Sequence, residues 1–204
     1  MGKSVMISIQ PYWVFLIIVK KMGWRIGQEK TVEIRKTRPK DENWNKVAKI
    51  YCSKDKKSFA KIPNEYQALM EQFLGKVIGE FVCDEIFEIK YQCGSYRCKG
   101  LTVLENDRVA SDSKLSLYDM RSYLSCNNGY GWHISNLVIY DKPRELSELY
   151  TKCDEGCENC DFWKSVRVNA DEYDMECSSS IYGHRPLKRP PQSWCYVESE
   201  VDAK

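Results

Sequence analysis

The sequence predicts a mixed α+β fold: a small, strongly curved mixed sheet with short helices at its periphery, followed by a cysteine-rich appendage. Three observations predict it. Apolar and polar residues alternate over several short stretches, the period of half-buried strands. A few intervening segments carry helical spacing instead. The ten cysteines divide evenly, five up to Cys126 and five from Cys153 to Cys195.

The elements follow in order. "VMISIQP", Val5 to Pro11, reads as an apolar strand, and Pro11 then suits a first helical turn, where its missing N–H costs nothing. "YWVFLIIVKKMG" continues as that helix, with Tyr12, Phe15, Leu16 and Val19 on one face, Trp13, Ile17 and Lys20 on another, and Gly23 at its end. In "KTVEIRK" the strand period sends Val32 and Ile34 to one side and Thr31, Glu33 and Arg35 to the other. "KVAKIYCS", Lys46 to Ser53, is a further strand. "PNEYQALMEQFLG" is a helix capped by Asn64, striped by Tyr66, Leu69, Met70 and Phe73, and ended by Gly75. "KVIGEFVCDEIFEIKY", Lys76 to Tyr91, is long enough for a bent or bulged strand, and "GLTVLEND" reads as a short one. "SLYDMRSYL" opens on Ser116 with Asp119 three residues on, a variant capping box that predicts a short helix. "GWHISNLVIYD", Gly131 to Asp141, is a strand or strand pair, and the final "WCYV" can lay a last strand against the domain.

Charge is unevenly spread. Residues 1–61 hold 15 Lys/Arg against 5 Asp/Glu, a balance of +10, and the remainder balances to −8, giving the net +2. A basic N-terminal third draws a polyanion or merely solvates a face. The longest apolar run, Tyr12 to Val19, has eight residues, where a bilayer helix needs about 20. "KKMGWR" follows it in place of a small-residue cleavage site, so a cytoplasmic protein with no membrane partner is expected, and its cysteines are not expected to form a disulfide framework.

In their order and spacing, "MISIQP" with its helix, "EKTVEIRK", "KIYCS", "KVIGEFVCDEI" and "GWHISNLVIYDKPREL" resemble an ASCH domain of the PUA-like superfamily, over residues 1 to about 147. The ending "LKRPPQSWCYVE" after a cysteine-bearing segment is similar to the end of a set of small bacterial and phage proteins. The resemblance implies a small PUA-like β-barrel with peripheral helices and a cleft that binds RNA or a modified nucleotide. Members that catalyse hydrolyse an acylated cytidine or cleave RNA. The acyl-hydrolase type works through a lysine, a threonine three residues later and a late glutamate. By resemblance the lysine falls on Lys30, the threonine position on Glu33, and the acid on Glu80 or Glu85.

If the barrel holds, Gln10, Lys30, Glu33, Arg35, Lys36, Trp132 and His133 converge on that cleft. Arg35 suits a phosphate or a base edge, Lys30 and Lys36 supply point charge, Glu33 accepts from an exocyclic amine, and Trp132 offers a stacking ring. The plainer alternative is that Glu33 and Arg35 complete an internal ion-pair network and Trp132 fills the core. His133 suits acid–base work by its ordinary pKa, or is a hydrogen-bonded neighbour. As an enzyme the chain would use Lys30 and Glu33, but cations beside a carboxylate weaken it as a base, which favours binding over turnover.

Residues 148–204 form the appendage. Cys153, Cys157 and Cys160 follow a C-x3-C-x2-C spacing, with Cys177 after sixteen intervening residues. Four thiolates suit a closed, structural tetrahedral zinc site, and a segment poor in large apolar residues gains folding energy from a metal. His184 or Cys195 in place of one ligand, ordinary free thiols, or an iron–sulfur cluster are the alternatives. Three function classes remain: a module binding RNA or a modified nucleotide, expected first; a nucleotide-processing hydrolase or ribonuclease; and a module directed at a protein partner.

Overall fold

A computed structural model describes residues 3–41, 44–92, 95–98, 103–153 and 183–198. Strand β1 (Lys3–Ile9) leads into helix α1 (Pro11–Ile18), with Pro11 at the first helical position as its chemistry predicts. The chain turns at Gly23, whose φ of +71° suits a residue without a Cβ, and reaches β2 (Val32–Arg35). β3 (Trp44–Cys52) follows, then α2 (Lys56–Phe59), α3 (Asn64–Glu71), β4 (Val77–Val82), β5 (Ile86–Gln92) and β6 (Ser95–Cys98). After α4 (Val103–Ser113) and α5 (Leu117–Leu124) come β7 (Gly129–His133), β8 (Ser135–Arg144) and β9 (Tyr150–Cys153). β10 (Gly183–Pro186) and β11 (Trp194–Val197) complete the described elements.

The strands make a five-stranded sheet in the order β11-β1-β3-β4-β8, a four-stranded sheet β2-β7-β5-β6 and a two-stranded ribbon β10-β9. The fold is mixed α/β, and among the described residues the sheets do not close into a barrel. All pairings are antiparallel except β1 with β3, which run parallel. A parallel pair requires a crossover, and here the crossover carries α1 and β2. It places the start of the helix and the edge of the second sheet beside the end of β1.

The main core lies where α1 and the two sheets meet. Val5, Ile7, Ile9, Ala48, Ile50, Phe81 and Trp132 are buried there together with Val14 to Ile18 of the helix. Val32 and Ile34 point away from it, as their alternation predicts, into a second cluster with Val109, Met120 and Leu124 of the helices α4 and α5. A third cluster joins Met6, Val77, Leu149 and Val197, so the chain after residue 148 returns to the first sheet through β11.

Several sequence expectations change. The stretch Lys76–Tyr91 is two strands in different sheets, β4 and β5. The described part of "GLTVLEND", from Val103, belongs to helix α4 rather than a strand, and Val109 further along that helix shares a core cluster with Val32 and Ile34 of β2. Asn64 does not cap α3; Pro63 occupies that position, and Asn64 Oδ1 accepts from Gln67 instead. Leu69 is 45% exposed, while Met70 and Phe73 of the same stripe are buried. Ser116 does cap α5, accepting from Asp119 N. "WCYV" is the strand β11, paired antiparallel to β1.

Candidate functional site

The site is built on β2, an edge strand of the second sheet. Val32 and Ile34 anchor one face in the helical cluster, which forces Glu33 and Arg35 onto the face toward β1 and α1. Against that face lies a cavity of about 400 Å³, lined by Ser8 to Gln10, Trp13, Lys30, Glu33 to Arg35, Lys61 and, across from them, Asp119, Ser122 and Tyr123 of α5. Helix α5 comes this close because β7 begins with Gly129. A Cβ there would meet the Leu124 side chain at 2.7 Å and Arg35 O at 3.1 Å.

The polar floor is an ion-pair chain. The Glu33 carboxylate stands between two cations: Oε2 is 3.3 Å from Lys30 Nζ and Oε1 is 3.1 Å from Arg35 Nη2. All three side chains are buried, Lys30 at 2%, Glu33 at 7% and Arg35 at 4% exposure. Lys30 also donates to Ser113 O at 2.6 Å, at the C-terminal end of α4, where helix carbonyls carry partial negative charge. Its ammonium lies 5.2 Å from the centre of the Trp13 ring. Burial pushes the Lys30 amine below the ordinary lysine range, and the Glu33 charge opposes that shift.

Arg35 reaches beyond the pair. Nη2 donates to Ser8 O at 2.9 Å and Nη1 to Ser193 O at 3.4 Å, so its guanidinium ties β2 to β1 and to the segment before β11. Nε is buried and has no hydrogen-bond partner. Beside it, burial pushes the Tyr123 phenol up while the guanidinium pulls the other way. Two buried cations share one carboxylate, which leaves a surplus of positive charge beside the cavity. Such a floor favours an anionic or strongly accepting group.

Of the residues predicted from sequence, Gln10, Lys30, Glu33 and Arg35 come together in this cavity. Gln10 is exposed at its edge and donates to Asp55 at 3.2 Å. Lys36 stands at the rim, 5.5 Å over the ring of Tyr123. Trp132 and His133 do not line the cavity. Trp132 is fully buried between Trp44 and Trp194 in the main core. His133 is half-buried elsewhere on β7, with Nδ1 2.7 Å from Asp84, and that hydrogen bond holds the Asp84 carboxyl below its usual range. Glu80 pairs with Lys49 and Tyr140, and neither Glu80 nor Glu85 lines the cavity.

Sequence reasoning missed Trp13, Asp119, Ser122 and Tyr123. The spacing of 119, 122 and 123 puts them on one helical face, a legible signal, but nothing in it shows that the face meets β2. A second depression, about 580 Å³, follows β8 from Val138 to Arg144 and the turn after it, away from the ion-pair chain.

Cys153 ends β9, and Cys157, Cys160 and Cys177 lie outside the described residues. β9 pairs with β10 so that Cys153 faces Gly183 in the register and Lys152 faces His184. Cys195 lies in β11 beside the third hydrophobic cluster, and burial pushes its thiol up to about 11. Among the described residues no group of three or more His, Cys, Asp or Glu is placed to hold a metal ion, and no helix is long and apolar enough to cross a membrane.

No protein-family model and no curated protein matches the sequence. Among solved structures, the chain is similar to the crystal structure of ASCH from Zymomonas mobilis, with a TM-score of 0.50 and 15% identity over 97% of this chain and 90% of that one. Tyrosine-to-phenylalanine and serine-to-alanine variants of that protein align at TM-scores of 0.47 and 0.48, with 14% and 13% identity. This alignment along nearly the whole chain gives the molecule an ASCH-like fold.

Proposed function

We propose that the protein is a nucleic-acid-binding module, for RNA first, that takes one unpaired or modified nucleotide in the cavity over β2. The observation that carries this reading is the buried Lys30–Glu33–Arg35 chain facing a cavity about the size of one nucleotide, with Trp13 in its wall. The surplus cation suits a phosphate or a base carbonyl, Glu33 and Gln10 suit exocyclic amines, and Trp13 suits stacking. Native mass spectrometry of the purified protein, with anisotropy titration of short labelled RNAs, tests it. Salt-dependent binding lost in Arg35→Ala that still folds supports the reading, and no binding by the unaltered chain overturns it.

One observation favours a second reading. Lys30 is a buried amine shifted toward its neutral, nucleophilic form, so Lys30 with Glu33 as its partner would serve a nucleotide-processing hydrolase. Release of product from acylated or otherwise modified nucleosides, lost in Lys30→Met, is the assay for it.

We infer as well that Cys153, Cys157, Cys160 and Cys177 hold a structural zinc ion within a C-terminal extension spanning 148–204, because their spacing suits one tetrahedral site. One zinc per chain in protein kept reduced and away from chelators is the expected result, and metal-free protein overturns it.

A further inference from the structure

The loop that leaves β2, Lys36 to Lys40, is held by contacts that leave its cations facing outward. Trp194 Nε1 donates to Thr37 Oγ1 at 2.9 Å, and the Tyr196 hydroxyl accepts from the backbone N–H groups of Lys40 and Asp41 at 3.1 and 2.9 Å. Pro39 is buried, whereas Lys36, Arg38 and Lys40 are exposed. Two of these cations lie over tyrosine rings: Lys36 Nζ is 5.5 Å from the Tyr123 centroid and Arg38 Cζ is 5.6 Å from that of Tyr130. The nearby Asp41 is engaged by Lys3 at 2.6 Å. Glu88 is the cross-strand partner of Tyr130, so an acidic residue lies in the strand beside the one that carries that ring.

This loop is continuous with the cavity. Lys36 follows Arg35 directly, Tyr123 both lines the cavity and carries Lys36, and Tyr130 is the cross-strand partner of Arg35. From the buried guanidinium a row of cations and tyrosine rings runs outward along Lys36, Arg38 and Lys40. A free nucleotide filling the cavity needs none of it. A single strand with one nucleotide in the cavity would lay its next phosphates along the cations and its next bases against the rings, the pairing of charge and aromatic surface that holds unpaired strands.

We propose that the Lys36–Lys40 loop is a track for the sugar–phosphate backbone, so that the ligand is a single-stranded nucleic acid extending beyond the cavity rather than a free nucleotide. The proposal rests on the nucleotide reading of the cavity. The full chain is titrated with a fluorescein-labelled ten-nucleotide single-stranded RNA at several salt concentrations, and separately with AMP, CMP, GMP and UMP as competitors. The test variant is Arg38→Ala/Lys40→Ala, both exposed positions outside the cavity wall, with circular dichroism as the folding control. The expected result is weaker oligonucleotide binding, with the slope of log affinity against log salt shallower by about 1.4 for two lost phosphate contacts on a single strand, and unchanged mononucleotide competition. Oligonucleotide binding that survives the double variant but is lost in Arg35→Ala overturns the track and leaves the cavity reading standing. Absence of both oligonucleotide and mononucleotide binding in the unaltered chain overturns both. Binding of a poly-glutamate peptide through Arg38 and Lys40, with none of RNA, overturns the track in favour of an acidic protein partner.

Discussion

Glu33 and Arg35 stand two residues apart on one face of β2, and the carboxylate that meets Arg35 at 3.1 Å meets Lys30 at 3.3 Å with its other oxygen. The pair is therefore a structural tie that also forms the floor of the cavity. Removing Glu33 as Ala leaves two buried cations with no shared counter-charge, and the expected loss of stability is about 3–5 kcal/mol. Glu33→Gln keeps the shape and some hydrogen bonding and is expected to lose less. Urea unfolding of both variants checks the order; equal stability of Glu33→Ala and the unaltered chain would show that the ion-pair chain does not support the fold.

Lys30 gives a pH dependence with a defined sign. Its folded pKa lies below the ordinary lysine value because burial disfavours the charged amine. In the window between that lowered value and the unfolded one, near 10.4, the unfolded chain binds more protons, so the Lys30 contribution to stability rises with pH. Affinity for an anionic ligand runs the other way and falls over the same window as the amine loses its charge. Lys30→Met is expected to flatten both profiles, measured by urea unfolding and by oligonucleotide binding at stepped pH.

The two tryptophans separate core from site. Trp132 is fully buried against Trp44 and Trp194, so Trp132→Ala is expected to cost about 3–5 kcal/mol. Trp13 lines the cavity over Lys30. Ligand-dependent quenching of tryptophan fluorescence is expected to persist in Trp132→Phe and to shrink in Trp13→Phe. The reverse pattern would move the stacking surface to Trp132.

Thiol reactivity follows burial. Cys52 and Cys83 are buried, and desolvation pushes both thiols up to about 12, whereas Cys126 is exposed. Brief iodoacetamide treatment of the native protein near neutral pH, read by peptide mass spectrometry, is expected to modify Cys126 and to spare Cys52 and Cys83 until the chain is unfolded.

Much of this was legible in particular residues. The alternation of Val32 and Ile34 against Glu33 and Arg35 sorts β2 correctly between core and cavity, because a period of two leaves no other assignment. Ser116 caps α5 as its spacing to Asp119 predicts. Trp132 is harder to read, since a tryptophan next to a histidine at a strand end carries the same local pattern whether its face meets solvent or a second sheet. Trp13 and Tyr123 fall to the same difficulty. They come to the cavity from a helix ahead of β2 and a helix some ninety residues after it, and only the crossover and the close approach at Gly129 bring them together.

The guanidinium of Arg35 holds Ser8 O with one nitrogen and Ser193 O with another, and β11, just beyond, covers the open side of β1. This has a consequence in time. On the ribosome β1 is made long before β11, so one side of it stays an unpaired edge until the chain has been made past Val197. Until then Arg35 lacks its Ser193 acceptor as well. Chains that stop short of β11 therefore have an unfinished cavity and an edge of β1 open to other strands, and one late segment completes both.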